Sequence, residues 1–410
     1  MSDSEPTKFG SAFKKLWSAS AVSNLADGLL RTSAPLLATT LTKDPFLISA
    51  LGALIMLPWL LFAIPIGGLV DRANRRQLLA LANLVRFGAI GLLAISIGFE
   101  FISLPILFLA TFLFGVGEVL YDTTIQSMIP QVLGKNQLDK GNAQLQVTSV
   151  TLGELFGAPL GGILFAVSIG LPFFFGAFGV GVAVLLVMTI PRHYSIHTKP
   201  DAPLREKTGY WVDIRFGVRY LYEHKVLLTL VLLTSSLGFF YAGATSTLVL
   251  FVTETLEAPI AIFGFLFSAG ALGALVGALI APKLSERFGR SRVLALAIVI
   301  AGALILAQGL SPNYLVFTAI SAAGSLVITI WNILLMSIYH QMIPTELFGR
   351  IHGTRRTLVW GLMPIGSLLG GLVASIDLRL PFLLGGAISL LVALAGYRFI
   401  RGLSSHTQAD

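Results

Sequence analysis

A run of about 20 apolar residues is long enough for a helix to cross a bilayer, and this chain of 410 residues contains twelve such runs. Their approximate limits are 16–41, 46–70, 77–98, 102–125, 144–168, 170–190, 226–252, 259–281, 293–311, 314–338, 355–376 and 379–399. Only 12% of residues are charged and 55% are hydrophobic, where an ordinary soluble domain carries about 25% charged residues. The chain therefore reads as an all-α membrane protein of twelve transmembrane helices, and a soluble enzyme of this size is excluded. It has no Cys, which removes thiolate, iron–sulfur and disulfide chemistry.

The net charge of +8 would suit a polyanionic partner if the basic residues were pooled on one face. They are not. With the N-terminus inside, 24 of the 28 Lys and Arg residues fall in the seven inner segments, while the outer connectors keep only Lys43 and Arg379. This is the positive-inside asymmetry of a multi-pass protein, so no nucleic-acid partner is expected. An even number of crossings places both termini in the cytoplasm. The first 15 residues are polar, so the first helix, and no cleavable leader, is the expected insertion signal.

The longest connector divides the spans six and six. We read 1–190 as an N-terminal six-helix bundle, 191–225 as a cytoplasmic linker and 226–410 as a C-terminal six-helix bundle. Within the linker, Trp211, Ile214, Val218, Leu221 and Tyr222 alternate with Asp213, Arg215, Arg219, Glu223 and Lys225 at helical spacing. That pattern predicts an amphipathic helix lying on the inner membrane surface or, alternatively, a cytosolic linker helix.

The two halves repeat. Gly67 to Arg76 (GGLVDRANRR) after the second helix returns as Pro282 to Ser291 (PKLSERFGRS) after the eighth, 215 residues on. Gln-Ser-Met-Ile-Pro ending at Pro130 returns as His-Gln-Met-Ile-Pro ending at Pro344, and Gly157-x3-Gly161-Gly162 returns as Gly366-x3-Gly370-Gly371. Three landmarks in one order and one crossing sense indicate a duplicated six-helix unit, related by an axis along the membrane normal.

Several charges lie where lipid should be. Asp27 sits near mid-bilayer in the first helix, with Arg31 one turn on and Asn24 one turn back on the same face. Two central charges cost about 5–7 kcal/mol on the insertion scale, and the Val and Leu residues of that helix return only about 2–4 kcal/mol. The face must look into the bundle or a wet cavity, as a substrate or proton site or as an internal ion pair. Glu118 and Asp122 are one turn apart in the fourth helix, Asp122 being read as interfacial and structural, and Glu154 lies beside Gly153 in the fifth. Asp27, Glu118 and Glu154, in that order, are the candidate proton carriers. Arg86 in the third helix is expected to snorkel or to pair with a neighbour. Helices seven to twelve carry no charge in their central regions. There Phe239, Phe240 and Tyr241, with Trp331 and Asn332, form either an apolar cavity wall or core packing. No hydrolase elbow, metal-ligand spacing or phosphate loop appears, so no cofactor or metal is expected and the energy source is expected to be the proton gradient.

Gly67-x3-Asp71-Arg72-x-Asn74-Arg75-Arg76 resembles the signature between helices two and three of the major facilitator superfamily. The resemblance implies that Asp71, Arg72 and Arg75 form a cytoplasmic gate relay, with Glu286, Arg287, Gly289 and Arg290 as its degenerate second copy. Gly67 is expected to allow close helix packing, and Asn74 stands where the family has a Gly in a position suited to left-handed backbone. Gly153-x3-Gly157-Ala-Pro159-Leu-Gly161-Gly162 looks like the family's helix-five antiporter motif, a Pro-kinked run of small residues expected at the interface between the halves. Its Pro falls one residue late, and Thr111 stands four residues before Gly115, where many family antiporters carry Arg.

The whole chain is similar to the subgroup of bacterial exporters that includes the enterobactin exporter and macrolide or tetracycline efflux pumps. That likeness rests on Ser23 to Gly28, Tyr121-Asp122 with Gln126 to Pro130, and Phe251 to Glu254. It implies a multi-pass protein of the bacterial inner membrane, monomeric, that exports a drug-like or siderophore-like small molecule, lipophilic or cationic, by alternating access against proton entry. A lipid or lysolipid flippase and a solute importer are the alternatives within the same fold.

Overall fold

The computed structural model describes residues 9–70, 73–191 and 210–403. Among them the chain is helical throughout, with no strand. The first half runs α1 (Ser11–Leu41), α2 (Pro45–Val70), α3 (Arg75–Gly98), α4 (Leu104–Val132), α5 (Leu138–Thr148), a π-helical segment (Ser149–Gly157), α6 (Ala158–Val167) and α7 (Leu171–Met188). The linker helix α8 (Tyr210–Glu223) follows. The second half runs α9 (Lys225–Thr245), α10 (Leu248–Leu250) with a π turn at Phe251–Thr255, α11 (Phe265–Phe288), α12 (Arg290–Gly309), α13 (Tyr314–Met342), α14 (Thr345–Ala374) and α15 (Leu380–Arg401).

Eleven of these helical stretches are long and apolar enough to cross a membrane. The expected twelfth, α1, has the length, at 31 residues, but not the composition. Lys14, Lys15, Asp27 and Arg31 dilute it, so its place in a bilayer depends on partners inside the protein.

The observed ends follow the expected limits, with three informative departures. α4 and α13 continue through the Met-Ile-Pro and Tyr-His-Gln-Met segments to Val132 and Met342. The fifth crossing is one helix with nine π-helical residues at its centre, not a simple Pro kink. α14 starts at Thr345, which brings Arg355 and Arg356 inside a helix of the second half. Both stand at the start of its apolar span, Gly353–Ala374, so the central regions of helices seven to twelve carry no charge among the described residues. Arg356 stacks its guanidinium over Trp59 at 4.8 Å and Trp360 at 4.3 Å, and Arg355 lies over Tyr339 at 4.7 Å.

By internal contact the chain resolves into two units, Met1–Leu37 with Leu61–Pro203, and Ala38–Leu60 with Leu204–Asp410. The hairpin Ala38–Leu60 thus belongs to the second unit. It is held there by Lys43 to Glu254, by Ser367 Oγ donating to Ser49 O at 3.0 Å, and by an edge-on contact of Trp59 with Trp360 at 5.7 Å.

The glycine repeat does the same mechanical work in each unit. In the first, a Cβ on Gly28 would come 2.1 Å from Gly153 O, and one on Gly161 would come 2.6 Å from Leu29 O. In the second, a Cβ on Gly370 would come 2.1 Å from Gly243 O, and one on Gly366 would come 2.3 Å from Phe239 O. Backbones that close admit only glycine, and in membranes such contacts replace the missing hydrophobic drive for helix association. Gly153, Gly157 and Gly161 therefore pack against α1 of their own unit; Pro159 and Gly162 are buried near the start of α6.

α8 packs one face on the second unit. A Cβ on Gly217 would meet Thr354 Oγ1 at 2.1 Å, and Leu221 is buried in the second unit's apolar core. Val218 and Tyr222 remain exposed. Apolar periodicity reports that a helix has one greasy face but not whether lipid or protein covers it.

Candidate functional site

The face of α1 that carries Asn24, Asp27 and Arg31 is where the first unit gathers its charge. The two ions do not pair with each other. Arg86 Nη2 of α3 donates to Asp27 Oδ1, while Arg31 Nη1 donates to Glu154 Oε1 in the π-helical segment at 3.1 Å. A π-helical segment shifts the face that a crossing presents. Here that shift lets Gly153 and Gly157 touch the α1 backbone while Glu154 reaches Arg31.

The two pairs differ in access. The Arg86 side chain is 0% exposed and Asp27 23%, whereas Arg31 and Glu154 are 49% and 35% exposed. Arg86 lies midway along α3, too deep to snorkel. Its Nη1 donates to Ser23 Oγ at 2.7 Å and Asn83 Oδ1 at 3.3 Å, and its guanidinium lies 5.0 Å from the ring centres of both Phe114 and Tyr121 on α4. Of the two readings open for Arg86, pairing is the one observed, and the pair it forms makes it the centre of the site. The signal available in the sequence was an Arg in mid-span with no aqueous end within reach.

Gly117 makes room for it. A Cβ there would sit 2.5 Å from Arg86 Cγ and 3.0 Å from Ala82 O. Overpacking of this kind costs about 1–3 kcal/mol. We expect Gly117→Ala to displace the guanidinium and lower transport at least tenfold in vesicles while the protein still inserts. Unchanged transport would show that Arg86 tolerates displacement.

The other expected residues fall into three groups. Asn24 spends its amide on its own helix, donating to Ser20 O at 2.7 Å and Ser20 Oγ at 3.0 Å. The aromatic wall separates: Phe239 and Phe240 meet edge to face at 5.2 Å and Tyr241 is partly exposed, whereas Trp331 lies in the second unit's core and Asn332 points out of it. Successive helix residues are about 100° apart, so Trp331 and Asn332 project in different directions. Trp331 is core packing.

In the gate motif, Asp71 and Arg72 lie outside the described residues. Arg75 is buried at the start of α3. Two expectations are corrected. A Cβ on Gly67 would meet no described atom within 4 Å, and Asn74 is extended (φ −68°), capping α3 by accepting from Gln77 N at 3.1 Å. The left-handed turn occurs in the second copy, at Gly289 (φ +84°). There Glu286 is exposed, Arg287 stacks on Phe288 at 5.4 Å, and Arg290 donates to Gln341 at 2.8 Å, joining two of the repeated landmarks.

Residues 6–407 match the family described as transmembrane secretion effector. Macrolide efflux protein A of Streptococcus pyogenes is 22% identical over 388 residues, 93% of this chain and 94% of that protein. The enterobactin exporter EntS of Escherichia coli O1:K1 is 24% identical over 376 residues, 88% and 85% of the two chains. Among solved structures, the nucleoside transporter NupG superposes with a TM-score of 0.74 at 14% identity, over 95% of this chain and 99% of that one. A bacterial homologue of the iron transporter ferroportin, in an inward-facing state, gives 0.73 at 15% identity, over 94% and 98%.

Proposed function

The chain belongs to the transmembrane secretion effector family of the major facilitator superfamily, a multi-pass transporter and not an enzyme; on that premise we propose that it exports a small molecule from the cytoplasm by alternating access, driven by proton entry. The observation that carries the proton assignment is the pairing of partly accessible Asp27 with fully buried Arg86. Protonating Asp27 strands a guanidinium that water cannot reach, and removing one partner of a buried pair costs about 3–5 kcal/mol. Proton binding is thereby linked to movement of α1 against α3, which is the coupling that an antiporter requires.

The Arg31–Glu154 pair is the open one and forms the substrate-facing part of this reading. The central regions of the first half's crossings hold four carboxylates, Asp27, Glu118, Asp122 and Glu154, against two guanidiniums, Arg31 and Arg86. That excess supports a lipophilic or cationic substrate. The relatives' roles with macrolides and enterobactin support a drug-like or siderophore-like one. The protein works as a monomer in the bacterial inner membrane with both termini in the cytoplasm. Pro203→Cys is the sole thiol in a chain with none, so an impermeant maleimide should label it only after cells are opened. Labelling of intact cells rejects this orientation.

The decisive experiment uses purified protein in liposomes with an imposed pH gradient and a panel of macrolides, cationic dyes and catecholate siderophores. Wild type should accumulate at least one member uphill. Asp27→Asn should lose that accumulation yet retain downhill exchange, because the amide mimics a protonated carboxyl. Full accumulation by Asp27→Asn, with loss in Glu118→Gln or Glu154→Gln, moves the assignment to those helices. Accumulation that survives in all three variants rules out proton antiport and favours lipid flipping.

A further inference from the structure

Arg86 is held by three acceptors, all on the α1 and α3 side, yet its Nε–H is buried with no acceptor. From α4 the guanidinium meets the rings of Phe114 and Tyr121. Phe114 and Tyr121 lie seven residues apart on one face of that helix, each 5.0 Å from the guanidinium carbon. Glu118 stands between them, one turn after Phe114 and one turn before Tyr121's successor, Asp122, so its side chain leaves α4 at the level of the guanidinium. Glu118 has no ion-pair partner among the described residues. The charged and titratable groups facing Arg86 are Asp27 from α1 and Glu118, Tyr121 and Asp122 from α4; α7, which also packs on α3, supplies none.

A cation sealed from water needs one anion at all times, and a second uncompensated carboxylate beside it is costly in low dielectric. One guanidinium, one carboxylate and one carboxylic acid form a neutral set, whichever carboxyl Arg86 holds. We propose that Arg86 is a movable counter-ion shared by Asp27 and Glu118, and that the carboxyl it leaves is the one open to the transported proton. The inference rests on the proton-coupled reading above and deepens it. In the arrangement observed, Arg86 holds Asp27. When the guanidinium turns to Glu118, any proton on Glu118 departs as the charge arrives, and Asp27, already partly accessible, accepts one. The exchange needs a change of side-chain rotamer between two helices that already flank Arg86, with Ser23 and Asn83 as fixed acceptors for Nη1.

pH-difference infrared spectroscopy of the purified protein in nanodiscs tests this without knowledge of the substrate. Wild type should show a protonated-carboxyl band that titrates. Asp27→Asn and Glu118→Gln should each abolish it, because the one remaining carboxyl is then permanently held by Arg86. A band that persists in either single variant overturns the sharing, since a lone proton carrier is lost in one variant only. If either variant fails to fold, Asp27→Glu and Glu118→Asp decide the matter. A shared set requires both to move the midpoint of the same band by about one pH unit, a tenfold change in proton affinity, and a midpoint moved by only one of them overturns it. A wild type with no titrating carboxyl at all rejects proton coupling itself, an outcome separate from the failure of sharing.

Discussion

Arg86→Met should be among the most damaging single substitutions in this protein. The methionine fills much of the same volume but leaves Asp27 facing a site built for a cation, and Ser23 Oγ without the donor it accepts from at 2.7 Å. Breaking a buried ion pair by removing one partner costs about 3–5 kcal/mol, whereas replacing both with neutral groups of similar size is often close to neutral. The double variant Arg86→Met with Asp27→Asn should therefore recover most of the loss. Asp27→Asn alone should be milder than Arg86→Met, because Arg86 then has Glu118 beside it. Thermal unfolding in a fixed detergent checks the order, with Arg86→Met lowest. A double variant no more stable than Arg86→Met would show that packing around Phe114 and Tyr121 matters more than the charge.

Gly28→Ala and Gly370→Ala should each prevent the correct fold or leave it severely destabilised, and to a similar degree. The added methyl would stand 2.1 Å from Gly153 O in one case and 2.1 Å from Gly243 O in the other. Neither obstacle is the flexible end of a side chain, so whole helices must separate, and the cost lies at or above the upper end of the usual overpacking range of about 1–3 kcal/mol. Gly88→Ala is the control, since a Cβ there meets nothing within 4 Å. Its expected effect is neutral or slightly stabilising, as Ala is the better helix former. The fraction of monodisperse protein on size exclusion reads all three. Normal yield from Gly28→Ala together with loss from Gly370→Ala would show that the two repeats no longer share one packing scheme.

Part of the site was legible because burial cost is a local property. Asp27 and Arg31 stand out in a helix that cannot offset them with hydrophobic residues, so they need partners beyond it, and each has one on another helical segment of the first unit. Their partners were not legible. Asp27 and Arg31 are one turn apart and of opposite sign, which favours a local pair, yet each reaches to a different helix, α3 and the π-helical segment. Local spacing ranks only local candidates, and two longer-range pairs satisfy two charges better than one exposed pair. Asn74 misled for a related reason. Its residue type suits both left-handed backbone and a helix N-cap, and only the arrangement of the chain after Ala73 selects the cap.

What the sequence by itself determined is what transfer between water and lipid governs: that the chain is an all-helical, multi-pass membrane protein, and where its eleven long apolar helices run. Those depend on composition summed over 20-residue windows, which neighbours in space hardly alter. Only the tertiary structure decided which charges meet, that the hairpin Ala38–Leu60 groups with the second unit, that Leu221 of α8 is covered by protein, and that Trp331 is core. The reason is that inside a bilayer the apolar surface of a helix gains nothing by choosing protein over lipid. Pairing is then chosen by close backbone contact at Gly28 and Gly370 and by the demand of each buried charge for a counter-ion, and both are properties of two helices at once.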